Sequence, residues 1–166
     1  MPRIPAYRRD AGFTLVELVS VIAVTGILTA TALPRLTAIT GEARYATLMA
    51  AGGALMSVAV TANGQFRING TATQAFEDVT VPLVNGYPGA VAATAEAAGL
   101  DGRFTVYTAD AAPMPGLPAG SMAIVPAGLA GTARARDCYL VYTQSPAPNK
   151  RPTVTPGAST TADACS

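Results

Sequence analysis

The chain has 166 residues, half of them hydrophobic, 13% charged and 6% aromatic, a size that suits one domain with an anchor rather than several domains. Its formal charge of +1 is misleading: Arg3, Arg8 and Arg9 against Asp10 give the first twelve residues +2, leaving 8 basic and 9 acidic groups, a net −1, in the remainder. That balance excludes a surface of clustered Lys and Arg for nucleic acid, and with no histidine in the chain there is no Ser-His-Asp triad, Cys-His pair or zinc site of the usual composition.

Met1 to Gly12 holds two prolines and three arginines and no apolar run, so it reads as a processing segment outside the fold. From Phe13 to Leu33 run 21 residues with one charge, Glu17. A helix of that length and composition spans a bilayer, and the basic leader keeps its start cytoplasmic. A carboxylate inside such a segment costs about 2.5–3.5 kcal/mol on insertion scales and calls for a specific partner. Cleavage after Gly12 would create one, the amine of Phe13. Glu17 lies four residues on, about 6 Å along a helix axis, within reach of its own amine or that of an adjacent copy.

Gly12-Phe13-Thr14-Leu15-Val16-Glu17-Leu18 after a short positive leader resembles the class III signal of type IV pilins and pseudopilins. The resemblance covers residues 1 to about 62. It implies cleavage between Gly12 and Phe13 by a prepilin peptidase, N-methylation of Phe13, and a Glu17 that neutralises a neighbour's amine and sets axial register. The implied partners are other copies of the chain in a helical filament, the inner-membrane pilus assembly machinery, and the membrane itself before assembly; no surface receptor is identified. The implied course is a single-pass inner-membrane protein that becomes an extracellular pilus, or fimbrium.

Pro34 follows the span and supplies no helix hydrogen bond, so a kink or local loosening is expected at residues 30–34. Leu36, Ile39, Ala43, Ala46 and Ala50, then Leu55, Met56 and Ala59, recur at three- and four-residue spacing. They predict an amphipathic helix over 34–62 that ends near Asn63-Gly64. Gly52-Gly53 weakens it by about 1 kcal/mol per glycine relative to alanine, so packing on a sheet must hold it.

The remainder, 63–166, reads as a globular head. Ala75 to Val84 is extended, Asn85 to Gly89 is a turn cluster, and Pro88 opens a short alanine-rich helix ending near Gly99. Arg103–Ala109, Ser121–Val125 and Cys138–Thr143 read as strands, the first and last with clear alternation. Glu77-Asp78, the adjacent carboxylates, would point apart on a strand. Ser145–Ser166, rich in Pro, Thr, Ser and Ala, has a disordered composition, and Cys165 ties it back as a bounded surface loop.

Cys138 and Cys165 are the chain's two cysteines. In a translocated domain they read as a disulfide, because the periplasm and cell surface are oxidising; free thiols are the other reading. The bond would contribute about 3–4 kcal/mol. A terminal disulfide around a strand and loop resembles type IVa pilins. Leu83-Val84-Asn85-Gly86-Tyr87-Pro88 and Cys138-Tyr139-Leu140-Val141-Tyr142-Thr143 look similar to the mannose-sensitive haemagglutinin group of pilins. The expected fold is α+β: a long N-terminal helix, membrane-spanning in its first half, packed on a small antiparallel sheet with the disulfide loop 138–165.

The resulting expectation is a structural pilin that serves adhesion, attachment or motility, without catalytic residues, metal or cofactor. Asp101, Asp110, Asp137 and Asp163 lack cation-loop spacing. A pseudopilin of a type II secretion system shares the leader and Glu17. A third reading is a secreted protein cut at Ala30-Thr31-Ala32 to start at Leu33, against which stand Glu17, the length of the apolar run and Pro34. Asn69-Gly70-Thr71 fits an N-glycosylation sequon, and the basic doublet Lys150-Arg151 is expected at a solvated loop tip.

Overall fold

The computed structural model describes residues 12–109, 114 and 116–166. The leader apart from Gly12, with Arg3, Arg8, Arg9 and Asp10, and the acid Asp110 lie outside the described residues. The chain divides into two units, Met1–Thr37 and Ala38–Ser166, and one helix, α1 (Leu15–Asn69), runs through both assignments.

In the first unit every described side chain from residue 12 to 35 is exposed. The helical assignment is unbroken through Pro34. This segment satisfies its own side-chain hydroxyls. Ser20 Oγ donates to Glu17 O at 2.8 Å, Thr25 Oγ1 to Val21 O at 2.7 Å, Thr29 Oγ1 to Thr25 O at 2.8 Å and Thr31 Oγ1 to Leu28 O at 2.9 Å. Each of these hydroxyls is paired inside the helix, as a helix that crosses a membrane would require.

In the second unit α1 buries Gly41, Leu48, Ala51, Gly52, Leu55, Val58, Ala59 and Ala62. This corrects the expected stripe: Ile39, Ala43, Ala46 and Ala50 are exposed, and the side chain of Leu36 lies outside the described ones. Glycine explains the misreading. A Cβ on Gly52 would stand 3.0 Å from Val154 Cγ1 and 3.1 Å from Leu140 Cδ2, so this glycine lets the sheet meet the helix backbone; Gly41 likewise lies against Ala162 and Ser166.

The helix also ends later than expected, at Asn69 rather than near Asn63-Gly64. Asn63 stays helical and spends its side chain on a tertiary bond, Nδ2 to Gly86 O at 3.0 Å. The true stop is Gly70, at φ 67, whose N–H returns to Phe66 O at 2.8 Å in the left-handed cap that glycine adopts without strain.

Beyond α1 the head holds two antiparallel sheets. The smaller comprises β1 (Thr73–Phe76), β2 (Val79–Val84) and β3 (Tyr87–Pro88). Thus 75–84 is not one extended run but most of a hairpin, with Phe76 opposite Val79 and Glu77-Asp78 at its turn, Glu77 at φ 48. Asn85 and Gly86, at φ 54 and 81, form the next turn, the positive-φ pair a two-residue hairpin prefers. Pro88 therefore ends a strand instead of opening a helix. The short helix α2 (Ala92–Ala97) follows and ends before Gly99 at φ 68.

The larger sheet has the order β4 (Phe104–Thr108), β5 (Ser121–Pro126), β6 (Leu140–Thr143), β7 (Thr153–Pro156). All six residues of β5 are buried, and two 3-10 turns, Ala127–Leu129 and Ala133–Arg136, carry the chain on to β6. β6 alternates, with Leu140 and Tyr142 buried. The tail is a correction: it contributes β7, paired with β6 from Leu140 opposite Pro156 to Thr143 opposite Thr153. Its prolines sit at an edge strand, where a missing donor is tolerated.

Leu48 and Leu55 of α1 join Met122, Ile124, Leu140, Tyr142 and the two bonded cysteines in the core. Tyr142 crosses between the sheets, its hydroxyl donating to Pro88 O at 2.7 Å, and burial pushes its phenol above the ordinary range. Gln144 adds a second link by accepting Ala90 N–H at 3.1 Å.

Candidate functional site

The N-terminal site is built on the first turn of α1. Thr14 N–H donates to Glu17 Oε2 at 2.9 Å and Thr14 Oγ1–H donates to the same oxygen at 2.8 Å. In return Glu17 N–H donates to Thr14 Oγ1 at 3.2 Å. This reciprocal arrangement is a capping box, with Thr14 at the cap and Glu17 three residues on. The carboxylate also sits at the positive end of the helix dipole. Two of the first turn's orphan N–H groups are thereby satisfied.

Thr14 is a residue the sequence reading passed over, although Thr14-Leu15-Val16-Glu17 carries the recognisable spacing. Glu17's two oxygens are used unequally. Oε2 takes both Thr14 bonds, and Oε1 has no partner among the described residues. Gly12 and Phe13 precede the helix, and the Phe13 side chain is 88% exposed, so the expected cut site is accessible. Pro34 lies inside α1, well beyond this turn.

Cys138 and Cys165 are joined, with their Cα atoms 5.0 Å apart. Their bond ties the tail to the segment leading into β6, and Arg44 of α1 holds the same end, its Nη1 donating to Cys165 O at 3.0 Å. Thr160 adds a second clasp, since its hydroxyl accepts from Tyr139 N at 3.2 Å and donates to Tyr139 O at 3.0 Å. These residues maintain the head and are distant in sequence from Glu17.

Among the described residues no group of three or more His, Cys, Asp or Glu is placed to hold a metal ion. Glu77 and Asp78 occupy a hairpin turn, and Asp101, Asp137 and Asp163 are scattered over the head. At the sequon, Asn69 Oδ1 accepts Thr71 N–H at 3.1 Å, Thr71 Oγ1–H at 3.0 Å and Gln74 Nε2–H at 3.0 Å, which gives that side chain a role in shaping the turn after α1. Lys150 and Arg151 are exposed on the loop before β7.

α1 is the one helix among the described residues long and apolar enough to cross a membrane, and its most apolar stretch is unburied. No curated protein and no solved structure matches the chain. Residues 7–33 match the family model of the prokaryotic N-terminal methylation motif, a stretch that takes in Gly12, Phe13, Thr14 and Glu17 and stops one residue before Pro34. The chain therefore carries, at its N-terminal end, the class III signal of type IV pilin-like proteins, the group that includes the pseudopilins.

Proposed function

We propose that the chain is the structural subunit of a type IV pilus. It is cleaved after Gly12 by a prepilin peptidase, methylated on Phe13, held in the inner membrane through residues 13–33, and then assembled with other copies into an extracellular filament. The role is mechanical, with no catalytic step and no cofactor.

The observation that carries this reading is Glu17, the one charge in the exposed apolar stretch 13–33, with one carboxylate oxygen fixed by Thr14 and the other open among the described residues. A charge in lipid or in a helix-packed core is tolerated when paired. The amine that cleavage leaves on Phe13 of an adjacent copy has the charge and the position to occupy the open oxygen. Exposed Leu15, Val16, Leu18, Ile22, Ile27 and Leu28 supply the surface that exchanges lipid for neighbouring helices. Each fully buried side chain of this kind contributes about 1.5–3 kcal/mol relative to water, and relative to lipid the gain comes from close packing.

Mechanical shearing of intact cells tests the proposal. A pilin is recovered in the sheared filament fraction, starting at Phe13. Recovery in the cell envelope alone, with a type II secretion defect on deletion, would assign the chain to a periplasmic pseudopilus instead.

A further inference from the structure

The end of α1, the β2–β3 turn and the loop after β6 enclose an open cavity of about 260 Å3 lined by Asn63, Phe66, Arg67, Asn85, Pro148 and Asn149. Filament assembly through the N-terminal helix makes no use of it. Its walls come from three separated parts of the chain and are tied together. Asn63 Nδ2 donates to Gly86 O at 3.0 Å, and Asn85 Nδ2 donates to Ser145 O at 3.0 Å. Ser145 Oγ in turn donates to Lys150 O at 2.7 Å, and Lys150 N–H donates to Ala147 O at 3.0 Å, closing the loop that carries Pro148 and Asn149. Gly86 lies flat against the Phe66 ring, where a Cβ would come within 2.6 Å of Cδ1. The ring and the amides of Asn63 and Asn85 are thus held in place before any ligand arrives, which lowers the ordering cost of binding.

The polar groups retain unused capacity. Arg67 Nε donates to Asn63 Oδ1 at 2.9 Å, which orients the guanidinium and leaves its terminal amino groups without a partner among the described residues. Among the described residues the Asn149 side chain makes no hydrogen bond and the Asn85 side-chain carbonyl oxygen accepts none. No carboxylate lines the cavity, and Lys150 and Arg151 add positive charge to the same loop.

Each group selects a feature of the ligand. Carboxamides donate and accept at once, as paired hydroxyls require. A phenyl face covers the C–H face of a saturated ring, in a pocket where a few polar groups fix orientation. A guanidinium with its fork free takes a carboxylate through two bonds. We propose that this cavity binds an acidic sugar, a uronic acid residue of a polysaccharide, with its carboxylate on Arg67, its hydroxyls on Asn85 and Asn149, and its ring against Phe66. Inorganic phosphate would use Arg67 and the amide N–H donors but leave the amide acceptors and the ring idle. A nucleic-acid strand needs a track of cations, which a region of net −1 outside the leader does not provide.

Arg67 also stands in the last turn of α1, where any cation is favourable to the helix, so the test separates the fork from the charge. The proposal concerns the folded head and holds whether or not the chain enters a filament. Detergent-solubilised full-length protein is titrated calorimetrically with trisaccharides of galacturonate, mannuronate and glucuronate, with neutral galactotriose and with a short oligothymidylate. The expected result is saturable binding of at least one acidic trisaccharide and none of the neutral one. Binding falls roughly ten- to a hundredfold in Arg67→Met, the range for a charge-assisted hydrogen bond; Arg67→Lys falls with it, and Asn149→Ala weakens binding without changing the melting curve. Failure of all three acidic trisaccharides to bind, equal binding of the neutral one, undiminished binding by Arg67→Lys, or tighter binding of the oligothymidylate overturns the proposal.

Discussion

The stretches 13–33 and 41–62 share Ala, Val, Leu, Thr and Gly and differ in exposure. From Phe13 to Leu33 the large apolar side chains are 50–88% exposed. From Gly41 to Ala62 one face is covered by the head, with Leu48 and Leu55 at 0%. In the first stretch no described side chain is covered by the described residues, which leaves the apolar surface that the proposed assembly would use. The second is held by the sheet. Both stretches carry glycine, and the described surroundings of those glycines differ. Gly41 and Gly52 admit the tail and the sheet to the backbone, whereas Gly26, in the first stretch, has nothing within 4 Å of a Cβ built on it.

The largest effect falls on the first stretch and leaves the second untouched. Glu17→Val is expected to insert into the membrane as the parent does and to abolish filament recovery, read as the ratio of sheared to membrane-bound protein. Normal recovery would remove the amine pairing from the account. Next in size is the tail's fastening. Cys165→Ser, or reduction, should lower the stability of the head by about 3–4 kcal/mol, seen as a lower melting temperature, with no loss of membrane insertion.

Smaller effects sharpen the comparison within the second stretch. Gly52→Val places a branched side chain against Val154 and Leu140 and should cost about 1–3 kcal/mol by overpacking. Its neighbour Gly53 is exposed, and a Cβ there would meet nothing within 4 Å, so Gly53→Ala should stabilise by about 0.5–1 kcal/mol through helix propensity. Thermal melts of the two variants with opposite signs would confirm the helix–sheet contact; equal signs would contradict it.

Much of this was legible from local pattern. The motif at Gly12–Leu18 is contiguous, so a linear reading finds it whole. The alternation in 104–108 and 140–143 marks both as strands, with alternate residues buried in the second and all five half-buried in the first. Other features depend on tertiary choice. Two Asn-Gly pairs compete to stop α1, and the later one prevails because Asn63 is drawn into a bond with Gly86 and Gly70 adopts the capping conformation. β7 escapes notice because its four residues lie among prolines, and pairing with β6 supplies the order that composition withholds. Thr14 needed only attention to its spacing from Glu17. The cavity at Arg67 was not legible at all, since its asparagines belong to segments that meet only in the fold.

The central claim is that this chain is processed at Gly12–Phe13 so that Glu17 has an amine to meet. N-terminal sequencing with intact mass, on protein taken from membranes and from sheared material, tests it directly. The account predicts a start at Phe13, a mass with one added methyl group, and two hydrogens fewer for the Cys138–Cys165 bond. A start at Leu33 would remove both the span and Glu17 and contradict it, as would an unprocessed leader in the sheared fraction.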